Sequence, residues 1–272
     1  MAQAESDRVF AGSIPQLYEQ FMVPLIFQPY AEDLAQRVVP HAPARVLEIA
    51  AGTGVLTREL ARRLPASSAI VATDLNQPML DEAAARGTSR AVEWRAADAM
   101  QLPFQNASFD AVLCQFGVMF FPDKGHAFAE ARRVLRPGGV LLFNAWDAIE
   151  HNEFTDVVTD ALARVFPHDP PRFMARTPHG YHDADLIREH LAQGGFTRGV
   201  QVEVVTRRSR ADSPRHVAIA LCQGSPLRGE IEARAGATLA EATQAATTAI
   251  AQRFGSGAVD GKIQALVASA ER

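Results

Sequence analysis

Apolar and polar positions follow two rhythms along this chain. Short unbroken apolar runs, the mark of strands buried on both faces, occur at 44–49, 69–73, 92–96, 109–115 and 140–146. Between them apolar residues recur at three- and four-residue spacing, which predicts helices over 55–64, 77–86 and 123–135. Leu56, Leu60 and Leu64 form the stripe of the first helix, with Arg58, Arg62 and Arg63 between them, and Pro65 ends it. Gly87 stands where a helix usually takes a C′ glycine. Arg136-Pro137-Gly138-Gly139 reads as the turn into the fifth strand. Such alternation predicts right-handed crossovers and a mostly parallel sheet, with its working edge at the carboxyl ends of the strands.

The flanks are less regular. Residues 1–12 carry no periodic pattern and read as irregular. Segment 13–40 holds Leu17, Tyr18, Phe21, Met22, Leu25, Ile26, Phe27 and Tyr30, too apolar for a free tail. Pro15, Pro24 and Pro29 predict that it breaks into short helical pieces, followed by a helix over 31–39. Two placements fit it: a lid over the working edge, or simple packing on the domain. After the fifth strand the pattern predicts helices at 153–166, 183–193, 213–221 and 233–254, a proline-rich loop at 167–180, and strands at 198–207 and 263–268. The connection between these last strands, about 208–261, is too long for an ordinary loop and predicts a helical cap rather than a separate domain. The whole chain, 1–272, then reads as one domain with its core at 44–146 and substrate-side elements at 147–272.

Composition narrows the partners. With 47% hydrophobic and 21% charged residues over 272 positions, a sizeable core is expected and disorder is not. A net charge of -4 offers no general attraction for nucleic acid or an anionic membrane. No apolar run reaches transmembrane length, and MAQAESDRVF lacks the apolar core of a secretory signal. Cys114 and Cys222 have no zinc-type spacing, and Cys114 reads as a buried thiol. The expectation is a reduced, cytoplasmic protein acting on a small molecule, with no metal, no nucleic-acid partner and no membrane insertion. Monomer and homodimer both fit.

The candidate chemistry centres on Val46-Leu47-Glu48-Ile49-Ala50-Ala51-Gly52-Thr53-Gly54, a strand running into a glycine turn and then a helix N-terminus. That combination makes a cradle for a nucleotide-type ligand. The dinucleotide fingerprint needs Gly or Ala at the position of Thr57 and a pyrophosphate beside the turn. Glu48 would repel a pyrophosphate and suits an amino-bearing, phosphate-free ligand. Asp74 stands at the distance of a ribose-binding acid, and a carboxylate can accept from both hydroxyls of a vicinal diol.

Glu48-x-Ala50-x-Gly52-x-Gly54 resembles motif I of the class I S-adenosylmethionine-dependent methyltransferases. Ala72-Thr73-Asp74 resembles the second-strand acid of that family, and Ala97-Asp98-Ala99 with Leu102-Pro103-Phe104 its third-strand motif. Phe109-Asp110-Ala111-Val112 and Ala131 through Gly139 resemble its fourth-strand motif and its signature before the fifth strand. These cover about 44–146, in order; the closest flavour is the small-molecule branch related to quinone-biosynthesis C-methyltransferases. The resemblance implies a Rossmann-like three-layer α/β fold with a seven-stranded, mostly parallel sheet, an antiparallel last strand and a helical cap. It implies S-adenosylmethionine as cofactor, S-adenosylhomocysteine as product, and methyl transfer to an O, C or N atom of a partly apolar metabolite. Some relatives on this fold catalyse a non-methyl reaction such as cyclisation, and a non-catalytic cofactor-binding protein is a further alternative.

By the same resemblance Asp74 would bind the ribose and Asp98 the adenine amino group, with the Ala99 N–H on the ring. Leu75 and Met79 would flank the adenine. Ala50, Gly52, Gly54 and Glu48 would hold the methionine part, Gln115 and Phe116 would lie near the sulfonium, and Tyr18, or more weakly Tyr30, would close on the methionine carboxylate. Met119, Phe120 and Trp146 are candidate acceptor contacts. A base is needed only if the acceptor is protonated; His151, His179 and His182 are candidates, with Tyr181 as a pocket wall or acid. His126 reads as structural, and Arg207, Arg208 and Arg210 read as a solvated strand end.

Overall fold

The computed structural model describes residues 7–272; the first six residues of the segment expected to be irregular lie outside the described residues. The strands are β1 (Arg45–Ile49), β2 (Ala69–Asp74), β3 (Glu93–Ala96), β4 (Phe109–Gln115), β5 (Leu135–Trp146), β6 (Arg198–Ala211) and β7 (Val259–Glu271). The α-helices are α1 (Ile14–Leu17), α2 (Gln28–Val38), α3 (Val55–Arg63), α4 (Gln77–Arg86), α5 (Lys124–Val134), α6 (Glu153–Val165), α7 (Phe173–Arg176), α8 (Ala184–Gln193), α9 (Pro214–Gln223), α10 (Leu227–Glu232) and α11 (Leu239–Phe254). The chain divides into two compact units. One comprises Gln28–Ala145, His182–Val205 and Ala265–Arg272; the other runs to Phe27 and includes Trp146–Tyr181 and Thr206–Gln264.

All seven strands form one sheet in the order β3-β2-β1-β4-β5-β7-β6. β1 to β5 pair in parallel: Glu48 lies opposite Ala72 on one side and Leu113 on the other, and Asp74 lies opposite Ala96. β7 runs the other way. The Gly138 N–H donates to the Arg272 carbonyl and the Arg272 N–H to the Gly139 carbonyl, an exchange made by antiparallel strands. β1, β2 and β4 are buried almost throughout, which explains why they read as continuous apolar runs rather than alternating ones.

The topology locates the working edge. From β1 the chain steps outward through β2 to β3, then returns and steps the other way through β4 to β5. Crossovers of one hand running in opposite directions put their helices on opposite faces, so α3 and α4 cover one face and α5 the other. The crevice between β1 and β4 is the switch point, where open α/β sheets bind ligands. α2 packs against α3, and α5 against α8. Gly194 lets α8 end close to α5, since a Cβ there would lie 2.5 Å from that of Phe128. The fully buried side chains of this unit include Tyr30, Leu47, Leu56, Leu60, Phe109, Phe128, Phe143 and Phe196. Each large apolar side chain taken out of water stabilises the fold by about 1.5–3 kcal/mol.

The other unit is helical, with the ends of β6 and β7. α11 packs against α6 and α9, and α9 packs against the helix Tyr18–Phe27. Asn152, almost fully buried, donates to the carbonyls of Asp147, Ala148 and Gln264 and accepts from the Gln264 N–H. Arg208 and Arg210 both clasp Asp260 at 2.6 and 2.9 Å, so these two basic residues serve exposed cross-strand ion pairs.

Four local expectations need correction. Pro24 and Pro29 do not break the N-terminal segment. Tyr18–Phe27 is a helix of the wider i→i+5 kind, whose winding takes up the Pro24 ring, and Pro29 sits in the first turn of α2. Arg136 to Gly139 is strand rather than turn, because the end of β7 supplies it with a partner. The helix expected at 233–254 begins only at Leu239, as α11: Gly236 takes a φ of +111° before it, Thr238 caps it with Glu241, and the separate short helix α10 ends at Glu232. The loop expected at 167–180 contains the short helix α7.

Tyr30 tests the packing beneath the sheet. Its side chain is fully buried, and its hydroxyl donates to the Val205 carbonyl at 2.9 Å. Replacing Tyr30 with Phe removes that donor and should lower the unfolding free energy by about 1 kcal/mol in denaturant titration; an unchanged midpoint and slope would show the bond contributes nothing.

Candidate active site

The end of β1 is built by backbone that ordinary side chains avoid. Ala50, Gly52 and Gly54 have φ of +55°, +56° and +82°, so the chain curls at the sheet edge and then enters α3. Gly54 also permits a close approach: a Cβ there would lie 2.8 Å from the Trp94 ring on β3. The Ala51 N–H donates to the Thr73 carbonyl, and the Gly52 N–H donates to Asp74 Oδ2 at 2.8 Å. Asp74 Oδ1 accepts from the Asn76 N–H at 2.8 Å. The buried Asp74 carboxylate is therefore held by backbone donors of two loops, one to each oxygen. Oδ1 also accepts from the Asn76 side-chain amide at 3.4 Å, so the accepting capacity left for a vicinal diol lies mainly on Oδ2. Asp74 does not cap α4; Asn76 has that position. Burial shifts the Asp74 carboxyl upward from its ordinary range, opposed by the Asn76 and Gly52 N–H groups.

Glu48, on the strand beneath the turn, is buried and accepts from the Thr57 hydroxyl at 2.6 Å. Burial pushes its carboxyl up to about 8, and the Thr57 bond and the Arg58 charge oppose the shift. After β3, the Ala97 N–H bonds the Asp74 carbonyl, which brings the third-strand loop beside the second. Asp98 is exposed and folds over its own loop to accept from the Met100 N–H, while Ala99 is buried. Met79 is buried at the start of α4, whereas Leu75 is half exposed. His126 meets the Met100 carbonyl through Nε2 at 2.9 Å, a structural contact as expected.

The end of β4 is equally constrained. Phe116 has a φ of +50° and its N–H donates to Asn144 Oδ1 on β5 at 2.8 Å. The Tyr30 ring meets Phe116 edge-on, with centroids 5.2 Å apart. A Cβ on Gly117 would lie 2.5 Å from that of Ala50, so the two loops that flank the switch point touch. Gln115 and Met119 are buried, and Phe120 is partly so.

A family model described as a methyltransferase domain matches residues 47–143. Over 110 residues the chain is 41% identical to a demethylmenaquinone methyltransferase of Deinococcus radiodurans, a match spanning 40% of this chain and 45% of that one. It is 32% identical to the demethylmenaquinone methyltransferase of Thermus thermophilus over 187 residues, spanning 65% of this chain and 82% of that one. The chain belongs to the class I S-adenosylmethionine-dependent methyltransferases. Among solved structures, a Haemonchus contortus phosphoethanolamine N-methyltransferase bound to S-adenosylhomocysteine shares the fold, with a TM-score of 0.59 and 16% identity over 95% of this chain and 56% of that one.

The methyltransferase fold thus brings the ends of β1, β2, β3 and β4 together with Glu48, Ala50, Gly52, Gly54, Asp74 and Met79 in one unit. Asp98, Ala99, Gln115, Phe116, Met119, Phe120 and His182 belong to the same unit. Tyr18, Trp146, His151, His179 and Tyr181 belong to the other. There Tyr18 stacks on Phe27 at 4.8 Å, and Trp146 contacts Phe27 and His179, each at 6.0 Å between centroids. His179 is buried, with Nδ1 2.8 Å from the Asp147 carbonyl. Tyr181 is buried, and desolvation drives its hydroxyl well above its ordinary range, so it remains a phenol at neutral pH. His151 and His182 are exposed.

Three positions went unread in the sequence. Thr57 registered only as a departure from the dinucleotide pattern, Gly117 as part of an apolar run, and Asn144 not at all. A polar residue inside the run of β5 was the available signal for Asn144, since a buried amide needs partners.

Because the folded-state value for Glu48 lies above its ordinary 4.5, the stability it contributes is complete below pH 4.5 and is lost as the pH rises through about 8. Glu48→Gln should abolish this loss. In thermal melts without cofactor, wild type should fall relative to the variant between those two pH values; curves that run parallel would place an uncharged or solvated Glu48 in both states.

Proposed function

We propose that this chain transfers the methyl group of S-adenosylmethionine to a small, partly apolar acceptor, with a carbon of a reduced quinone-type ring the first candidate. The observation that carries the cofactor half is the Asp74 carboxylate held by the Gly52 and Asn76 N–H groups at the switch point. The names of the Deinococcus and Thermus relatives support the acceptor half. A C-methyltransferase of ubiquinone and menaquinone biosynthesis from Saccharophagus degradans, 27% identical over 203 residues, supports it further.

In this reading Asp74 accepts from both ribose hydroxyls, and Asp98 and the Ala99 N–H read the adenine edge. Met79 gives the ring a buried apolar wall, and Leu75 an exposed one that the ring covers. The turn through Ala50, Gly52 and Gly54 seats the methionine chain, and Glu48 answers its amino group. Gln115 and Phe116 stand at the end of β4, beside the reacting centre. Bound S-adenosylmethionine supplies an electrophilic methyl on a positive sulfur. The chain's own contribution is to fix the approach along the breaking bond and to exclude water, which shapes the entropy of the step more than its electronics. Met119 and Phe120 are the proposed apolar acceptor contacts on the sheet side.

Incubation with methyl-labelled cofactor and a reduced, ring-demethylated naphthoquinone should give labelled product. Label appearing only with other components of a metabolite extract would retain methyl transfer and reject the quinone. Product formed while the cofactor stays intact would support a cyclase-like reaction, and binding without turnover a cofactor-holding protein. Lack of affinity for S-adenosylmethionine, with affinity for NADH, would reject the whole reading. Asp74→Ala should weaken cofactor binding by roughly 1–3 kcal/mol in calorimetric titration; unchanged affinity would remove Asp74 from the site.

A further inference from the structure

Residue 57 is where the chain departs from a dinucleotide-binding turn, and the structure shows what the departure does. Thr57 is fully buried in the first turn of α3, and its hydroxyl donates to Glu48 Oε2 at 2.6 Å. Glu48 is itself buried at the end of β1, and its carbonyl accepts from the Thr73 hydroxyl at 2.9 Å. A glycine or alanine at 57 would leave this carboxylate without that donor.

We propose that Thr57 is a positioning residue for cofactor binding: its hydroxyl fixes the Glu48 carboxyl group in the orientation that receives the cationic amino group of S-adenosylmethionine. The inference rests on the reading of Glu48 as the residue that answers the methionine end. Glu48 is surrounded by opposing influences. From α3, Thr57 and the Arg58 guanidinium favour the carboxylate; from β2, the Asp74 carboxylate disfavours it; from β4, the Cys114 thiol lies within electrostatic reach and, driven upward by burial, stays neutral. Burial outweighs the favourable pair, so the free chain carries a proton on Glu48 through neutral pH. An ammonium group arriving beside it reverses the balance, because an opposite charge a few ångströms away favours the ionised form. Cofactor binding below pH 8 therefore expels a proton from Glu48 to solvent. Thr57 reduces the work of that expulsion by giving the carboxylate a charge-assisted bond that a protonated acid uses less well.

The test compares wild type with Thr57→Val, which keeps the shape and removes the donor, and Thr57→Ser, which restores it. S-adenosylmethionine affinity is titrated by calorimetry from pH 6 to 9, in buffers of differing ionisation heat so that proton release is counted. Wild-type affinity should rise with pH, with proton release that fades toward pH 9. Thr57→Val should bind about tenfold more weakly near pH 7 and move the rise to higher pH, while Thr57→Ser follows wild type. A purely structural Thr57 would give a loss of equal size at every pH, with proton release unchanged, and that overturns the inference, as does a valine variant identical to wild type. Tight wild-type binding with no proton release at any pH also overturns it while leaving the cofactor reading intact. Failure of wild type to bind S-adenosylmethionine at all overturns both.

Discussion

One hydrogen bond organises the working edge of this protein: the Gly52 N–H on Asp74. It joins a turn at the end of β1 to a carboxylate at the end of β2. The turn runs through left-handed backbone at residues 50, 52 and 54, and the alanine at 50 bears some strain there. The carboxylate is buried and needs donors that do not leave with solvent. Each resolves the other's difficulty. The arrangement is also pre-organised for a ligand, since the donors that fix Asp74 occupy only part of the accepting capacity of its two oxygens.

The same logic explains why the second acid at the site behaves differently. Asp74 has two backbone donors, whereas Glu48 has one side-chain donor and a guanidinium at longer range. Two carboxylates at adjacent strand ends in one low-dielectric edge cannot both ionise at no cost, and burial shifts both upward. Glu48, with the fewer donors, is the one whose ionised form has less to hold it.

Much of this was legible in the chain because parallel strands buried on both faces leave long apolar runs, and because residues with positive φ favour glycine. Gly52, Gly54 and the five core strands follow from those two facts, and Asp74 from its distance beyond the turn and its resemblance to a second-strand acid. What escaped depends on contacts between distant segments. Arg136 to Gly139 reads as a turn until the end of β7 is laid beside it. Pro24 reads as a breaker until the helix around it is seen to widen. Thr57 and Asn144 are ordinary residues whose meaning comes entirely from Glu48 and the Phe116 N–H. Local rules describe elements well and describe the partners of polar groups poorly, because a polar group's partner is set by tertiary proximity.

The buried His179 ring follows the same accounting. A backbone carbonyl has no proton to give, so the ring nitrogen 2.8 Å from the Asp147 carbonyl is a protonated one. That carbonyl also accepts from Asn152, whose amide reaches Gln264, while the Asp147 carboxylate accepts from the Gln264 side chain at 2.7 Å. The ring is therefore held by a buried network rather than by solvent. His151 and His182 are exposed. The orientation of the His179 ring is thus a consequence of burial: a polar ring taken out of water keeps the partner that the Asp147 carbonyl provides.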